Sequence, residues 1–298
     1  MILQTSWNDR RILFVAIMGM ALLTACGGTD KSGTASTSES ATPTPVTSGV
    51  ACTVTDSRLT EISGLVASIN HPDVLWTHND SSDSARIFAI SASTCKVLAD
   101  VQLADVKARD VEAITITRTA AGQPTLLVGD IGDNLSDQPF ARIYSFAEPQ
   151  QLKDQSVKVK TLKVALDSQN AEALLADPRP NGSIYVVTKR DQNKATINQL
   201  PADALSKDSV TVKEVGPAPD IVTDGSWSPD GTRFVLRGYF NATSYCAPPP
   251  STGQALPIPL QRQGEAIAFS SDGRALYLGS EGANSDLLLI PAPTSPSC

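Results

Sequence analysis

The sequence has few of the residues on which much enzyme chemistry depends. Only two histidines, His71 and His78, occur among its 298 residues, which excludes a histidine-rich metal centre. Charged residues make up 18% of the chain, and 31 Asp and Glu against 24 Lys and Arg give a net charge of −7. An acidic chain lacks the basic surface that binds a phosphate backbone, so we expect no nucleic-acid partner.

The sequence also lacks the short motifs of common catalytic sites. It contains no Gly-x-Ser-x-Gly, His-Glu-x-x-His or Cys-x-x-Cys motif and no glycine-rich phosphate-binding loop. A Ser/His/Asp triad would have to use His78, and no serine lies in a matching motif. The sequence therefore leaves enzymatic activity open, whereas its 41% hydrophobic content is enough for a folded domain.

The first 25 residues have the features of a signal peptide. Arg10 and Arg11 precede an apolar run, Ile12–Leu23, which is shorter than the roughly 20 residues of a spanning helix. The run ends in Leu23-Thr-Ala-Cys26, which resembles the bacterial lipobox. The resemblance implies cleavage before Cys26 and lipidation of its thiol; a plain secretory signal is the alternative.

The segment after the signal peptide indicates a tethered domain outside the cytoplasm. Residues 26–50 are mostly Gly, Ser, Thr, Ala and Pro, a composition typical of a flexible tether, and residues 51–298 form the folded domain. We expect a protein of the bacterial cell envelope, held to the membrane by its lipid. The remaining cysteines, Cys52, Cys95, Cys246 and Cys298, are even in number, which indicates two disulfides.

An internal repeat of roughly fifty residues dominates the rest of the chain. In each copy an acidic residue opens a first strand, a turn follows, and a second strand ends in polar residues. The five acidic residues are Glu61, Glu112, Glu172, Asp224 and Glu265. Each copy has room for two further strands, so the repeat predicts an all-β propeller with five blades of four antiparallel strands. Six blades are the alternative if residues 150–170 contain another blade.

Two outer strands of this propeller need separate assignment. The alternating segment Val157–Val164 is predicted to be the fourth strand of the second blade. The fifth repeat ends early, so Cys52–Thr55 from the N-terminus is expected to complete the last blade and remove an exposed sheet edge. This closure would bring Cys52 near Cys298. A bond between them is one pairing, and Cys52–Cys95 with Cys246–Cys298 is the other.

Several motifs together resemble secreted actinobacterial β-propeller proteins that are often described as WD40-like. The motifs are Asp130-Ile-Gly-Asp-Asn134, Thr223-Asp-Gly-Ser-Trp-Ser-Pro-Asp-Gly231, Leu236-Arg-Gly-Tyr239, Gln263-Gly-Glu-Ala-Ile267 and Gly279-Ser-Glu-Gly282. The Ser-Pro-Asp-Gly turn also resembles the TolB-type propeller repeat, whose members bind proteins at the cell envelope. The resemblance implies fold and location and assigns no activity. Cys52 and Cys95 are additions to the pattern, which favours a bond between them.

Polar residues are predicted to gather at one mouth of the propeller channel. The first strand of each blade lines the channel, so the five repeated acids should form a ring there, beside the ends of the second strands. Because a role needed in every blade is typical of structure, the better ligand candidates are the unrepeated groups. These are His78, Asn79, Asp80, Asp110, Asp130, Asp133, Asn134, Lys189, Arg190, Arg237 and Glu281; Asp224 and Glu265 of the ring are added to them as channel-face candidates.

Two functions follow from this acidic channel face. The first is a binding module for an envelope protein or a small-molecule ligand. The second is a Ca²⁺-dependent hydrolase of lactone or phosphoester type, because Ca²⁺ binds six to eight oxygen ligands and needs no histidine. Its predicted metal ligands are Glu61, Glu112, Asp130 and Glu172. In a purely structural role, each carboxylate would instead accept backbone N–H groups of a neighbouring loop.

Overall fold

The computed structural model of the protein describes residues 47–80, 83–133, 138–166, 170–294 and 298. These residues form five β-sheets around a central channel, which confirms the five-bladed propeller. The predicted signal peptide, Cys26, most of the predicted tether and Asn134 lie outside the described residues. In the part that is described, no helix is long and apolar enough to cross a membrane.

Each blade is an antiparallel meander that runs outward from the channel. The N-terminal strand is β1 (Gly49–Val54). The first blade contains β2 (Ile62–Ala67), β3 (Val74–Asn79), β4 (Arg86–Ser91) and β5 (Val97–Ala104). The second contains β6 (Val111–Arg118), β7 (Pro124–Asp130), β8 (Ala141–Ala147) and, beyond the short strand β9 (Gln155–Lys158), β10 (Lys160–Ala165).

The remaining blades follow the same plan. The third contains β11 (Ala171–Ala176), β12 (Ile184–Thr188), β13 (Thr196–Gln199) and β15 (Lys213–Pro217), and the short strand β14 (Ser209–Thr211) precedes β15. The fourth contains β16 (Val222–Trp227), β17 (Arg233–Gly238), β18 (Ala242–Cys246) and β19 (Gln254–Leu256). The fifth contains β20 (Gly264–Phe269), β21 (Ala275–Ser280), β22 (Ser285–Pro291) and β1.

Apolar side chains fill the five interfaces between neighbouring blades. Trp76 of the first blade packs with Ile114 of the second, and Leu174 of the third with Ile143 of the second. Phe88 of the first blade lies in one cluster with Ala268 of the fifth. The inner strands β2, β6, β11, β16 and β20 are almost wholly buried, so both of their faces are rich in small and branched apolar residues.

The outer strand predicted at Val157–Val164 is divided between two blades. β10 pairs antiparallel with β8, as expected for the second blade. β9 instead pairs parallel with β5 and extends the first blade, while β14 adds a parallel strand to β10. The alternating pattern continues through Val159, so it predicts extended chain throughout and contains no signal for a change of sheet. The segment therefore supplies an outer strand to each of two blades and no sixth blade.

The N-terminal strand closes the ring, and one disulfide fixes this strand while another fixes the C-terminal residue, Cys298. β1 pairs antiparallel with β22 and completes the fifth blade. Cys52 of β1 is bonded to Cys95 in the first blade, so this disulfide joins the last blade to the first. Cys246 of the fourth blade is bonded to Cys298. Of the two pairings left open by the sequence, the structure has the second, and disulfides agree with a location outside the cytoplasm.

Removing the closing disulfide is expected to destabilise the ring. Because the Cys52–Cys95 bond closes a loop with a sequence separation of 43, the double change Cys52→Ser and Cys95→Ser should lower the free energy of unfolding by about 2 to 5 kcal/mol. Urea unfolding of the oxidised chain measures this change, with the exposed neighbour variant Thr94→Ala as control. Equal stability of the double variant and the control would mean that β1 closes the ring without help.

Candidate functional site

Every inner strand has a register irregularity at its first residues, and these positions define the channel mouth. The bulged residues are Ser63, Glu112, Glu172, Thr223 and Glu265. Three blades therefore have a glutamate at the bulge, whereas the first and fourth blades have a hydroxyl residue there, Ser63 and Thr223. Glu61 lies two residues before the equivalent position and Asp224 one residue after it, so the predicted ring of five equivalent carboxylates is wrong in register at these two blades.

Asp224 occupies the layer of the channel directly below the bulges. The equivalent residues in the other blades are small: Gly64, Ala113, Ala173 and Ala266. The Asp224 Oδ2 atom accepts hydrogen bonds from the backbone N–H of Ile267 at 2.8 Å and of Leu65 at 3.4 Å. Leu65 belongs to the first blade, which is not a neighbour of the fourth. The carboxylate thus bridges the narrow part of the channel, and burial raises its pKa.

Above this layer lies a group of carboxyl side chains that we name the acidic mouth. It consists of Asp80, Asp110, Glu112, Glu172, Glu265 and Glu281. Carboxylate oxygens of Asp80, Asp110 and Glu112 lie within 4.8 Å of one another. Gly132 leaves room for them, because a Cβ at that position would overlap with the carboxyl groups of Asp110 and Glu112.

Two pairs of carboxyl groups in the acidic mouth are hydrogen-bonded to each other. Glu112 donates to Glu172, and burial together with the negative charge of Glu172 raises the pKa of Glu112. Burial raises the pKa of Glu172 to about 7, although Lys189 opposes this shift. Glu281 donates to Glu265, and burial and the charge of Glu265 raise the pKa of Glu281 to about 8. Each pair therefore shares a proton near neutral pH.

The pKa of Asp110 is also raised, although Asp110 belongs to neither of these carboxyl pairs. Burial, followed by the charges of Asp80 and Asp130, raises the pKa of Asp110 to about 6. Negative charge at this mouth is therefore in excess of what the nearby cations compensate. Near neutral pH the site is partly protonated and gains further negative charge as the pH rises.

Lys189 is the cation that contacts this group of carboxylates. Its Nζ atom lies 3.0 Å from Oε1 of Glu172 and donates to the Tyr239 hydroxyl, also at 3.0 Å. Although burial opposes it, the charge of Glu172 raises the pKa of Lys189. The ammonium group also lies over the ring of Tyr239. Lys189 is thus held in place on one side of the mouth.

The second cation predicted here, Arg237, serves the structure of the blade. It is fully buried, and its Nη1 atom donates to the carbonyl oxygens of Ala266 at 2.7 Å and Gly279 at 3.1 Å. Burial lowers its pKa to about 10. A Cβ at Gly264 would overlap with Nη2 of Arg237, so the glycine of the Gln263-Gly-Glu motif makes room for the guanidinium group.

Several other predicted candidates lie in the loop structure around the mouth. Asp130 accepts hydrogen bonds from the N–H groups of Arg109 and Asp110 and from the Tyr144 hydroxyl. Asn79 bridges the amide of Glu61, the carbonyl of Arg58 and Asp83. Asp133 accepts from the amide of Gln138. These contacts are those expected of structural carboxylates and amides, and Glu112 alone of the four predicted calcium ligands belongs to the three-carboxylate group.

His78 does not contribute its side chain to the acidic mouth, and among the described residues the Arg190 side chain forms no ion pair with it. His78 is completely buried, its Nδ1 atom lies 2.9 Å from the carbonyl oxygen of Asn79, and burial lowers its pKa to about 4. It is therefore neutral near neutral pH. Arg190 is exposed, and its carbonyl oxygen accepts from the amide of Ile221.

Sequence reasoning missed two glutamines at this face. Gln263 donates to Glu281 and, at 3.4 Å, to Glu265. Gln261 accepts from Nη2 of Arg237 at 2.8 Å. Once the bulges are aligned, Gln263 is equivalent to Asp110, so a corrected register of the repeats would have placed it at the mouth.

Comparisons with known proteins leave both the family and the activity of the chain open. No protein-family model matches the chain, and no curated protein matches it. A solved structure described as "Crystal structure of Nidogen/Laminin Complex" is similar with a TM-score of 0.46 and 14% sequence identity, over 74% of this chain and 73% of that one. We draw no functional conclusion from a likeness of this degree. The geometry on its own defines a five-bladed propeller with an acidic channel mouth.

The raised pKa values predict an unusual dependence of stability on pH. A folded state whose carboxyl groups have raised pKa values binds more protons than the unfolded chain, so their contribution to stability falls as pH rises through the folded values. For Glu281, this window runs from its ordinary 4.5 to about 8. His78 acts in the opposite sense below its ordinary value of 6.5.

Stability is therefore compared only at pH values above the ordinary pKa of histidine, 6.5. The free energy of unfolding, measured with urea, should fall between pH 6.5 and about pH 8.5, and Glu281→Gln should reduce this fall. Glu214→Gln removes an exposed carboxylate of β15 and should leave it unchanged. A stability that rises over this interval in the unaltered protein would contradict the raised pKa values.

Proposed function

We propose that the protein is a lipid-anchored, extracytoplasmic binding module whose acidic mouth binds a cationic side chain of a protein partner. The propeller suits such a role because its loops present one continuous face from all five blades. The observation that carries the proposal is the convergence of six carboxyl groups, four of them in proton-sharing pairs. A Lys or Arg group placed among them would replace the shared protons as the source of positive charge.

Exposed apolar side chains beside the acidic mouth favour a protein as the partner. Phe240 is 69% exposed and follows Tyr239 at the mouth end of β17. Leu260 is 77% exposed and directly precedes Gln261, the partner of Arg237. Interfaces combine apolar contacts with a charged group that fixes orientation. A basic partner segment with neighbouring apolar residues would match both features.

The second candidate is a Ca²⁺-dependent hydrolase. The observation in its favour is the group formed by Asp80, Asp110 and Glu112, whose oxygens are close enough to share one ion. Oxygen ligands of this kind suit Ca²⁺, and an ion there would polarise a substrate oxygen. The three carboxylates supply half or fewer of the ligands that Ca²⁺ needs, so substrate or water would complete the coordination.

Binding of a basic peptide and of Ca²⁺ can be compared directly. Isothermal titration of the protein with N-acetylated, amidated hexalysine at about pH 8.5, where the mouth is most ionised, should show binding. The double variant Asp110→Asn and Glu281→Gln should weaken this binding about five- to tenfold. Binding should also weaken at about pH 5.5, because protons then compete with the ligand.

The control variant and the metal titration decide between the candidates. Glu214→Gln should leave hexalysine binding unchanged. If Glu214→Gln weakened binding as much as the double variant does, the effect would come from net charge alone, and the acidic mouth would not be the binding site. Tight Ca²⁺ binding that is lost in Asp110→Asn would favour the hydrolase and would justify assays with lactones and phosphoesters.

Anchoring through Cys26 is tested separately from the acidic mouth. In a bacterial host, the unaltered chain should incorporate labelled fatty acid and sediment with membranes. Cys26→Ser should remove the label and release the protein, because the acidic domain itself is repelled by anionic lipid. Thr29→Ser is the matched control. Label that persists in Cys26→Ser would exclude the lipobox as the attachment site.

A further inference from the structure

A second cavity lies at the end of the channel opposite the acidic mouth, and we name it the far cavity. It is lined by the last residues of β2, β6, β11, β16 and β20 and by the turns that follow them, so all five blades contribute to its wall. Its volume is about 180 Å³, and a cavity of about 150 Å³ is large enough to hold benzene. It therefore has room for the body of a small organic molecule.

The far cavity differs from the acidic mouth in its chemistry. Its walls combine apolar side chains, such as Ile116 and Phe269, with hydroxyl groups, among them Thr115, Ser226 and Ser270. Among the described residues that line it there is no carboxylate. Mixed walls of this kind, apolar with a few polar groups, are typical of small-molecule sites.

Arg118 supplies a positive charge at the rim of the far cavity. It is half-buried at the end of β6, and its Nη1 atom donates to the carbonyl oxygen of Gly122 at 3.2 Å. Within the described ranges Arg118 forms no ion pair, and the contact with Gly122 is its one side-chain hydrogen bond there. A guanidinium group without a counter-ion offers two parallel donors to a ligand carboxylate.

Trp227 narrows the class of ligand further. Its ring stacks with Tyr185, at a centroid distance of 5.7 Å, and with Phe234, at 5.5 Å. These two aromatic contacts hold the indole in place as part of the wall. Its Nε1–H group is buried and has no acceptor among the described residues. The Trp227 wall therefore has an N–H donor to spare and no acceptor for it.

We propose that the far cavity binds a small monocarboxylic acid, with its apolar body inside the channel end and its carboxylate on Arg118. One guanidinium group matches one carboxylate in charge and in geometry. The ligand's apolar part covers the aliphatic and aromatic walls, and the hydroxyl groups accept or donate around its polar end. This site does not depend on the function proposed for the acidic mouth.

Ligand-observed NMR of the full chain tests the proposal with acids whose bodies differ in shape. The probes are benzoate, cyclohexanecarboxylate and hexanoate, and benzamide is the neutral counterpart of the first. At least one acid should bind, and benzamide should bind more weakly than benzoate if benzoate is that acid. Absence of binding by all three acids at millimolar concentration would overturn the proposal.

Matched variants then locate the binding site. Arg118→Gln should raise the dissociation constant of the acid at least about tenfold, and Arg262→Gln, which removes an exposed arginine at the other end of the channel, should not change it. Ala67→Leu, at a half-buried wall position, should fill the cavity and block the acid without removing Arg118. Binding that survives both Arg118→Gln and Ala67→Leu would overturn the site, while Glu281→Gln should leave it intact.

Discussion

A β-bulge near the start of all five inner strands determines which side chains face the channel at its mouth and in the layer below. A bulge places two residues opposite one and turns a side chain that would otherwise face a neighbouring blade. Here the bulged residues include Glu112, Glu172 and Glu265, which therefore lie together at one mouth. The residue after each bulge is small in four blades, and the space is used by Asp224, which binds amides of two other blades.

The fold could be predicted from the sequence because strands and turns leave periodic signals, whereas the register at the mouth could not. Glu61 precedes Ile62 in the same manner as Glu112 precedes Ala113, so the pattern of acidic and apolar residues does not reveal that Glu61 lies two residues before the bulge at Ser63. The slip at Asp224 moves its carboxylate from the mouth into the channel. Bulges depend on contacts between strands, which a single sequence does not display.

The sequence alone could not predict the disulfide pairing or the division of residues 155–165 between two blades, for a related reason. Both depend on which blades are neighbours in space. Once β1 closes the ring, Cys52 lies beside the first blade and reaches Cys95, while the C-terminus returns to Cys246 of the fourth blade. Likewise, β9 joins the first blade and β10 the second, although their sequences alternate as one strand.

The two ends of the channel are chemically separate sites. At the acidic mouth, burial of several carboxyl groups raises their pKa values, which costs stability as they ionise, and such clusters are more typical of binding sites than of scaffolds. At the other end, Arg118 lies beside apolar walls without a carboxylate among the described lining residues. Between them, Asp224 bridges the narrow layer. The two ends therefore differ in charge: carboxyl groups converge at the acidic mouth, and a guanidinium group lies at the far cavity.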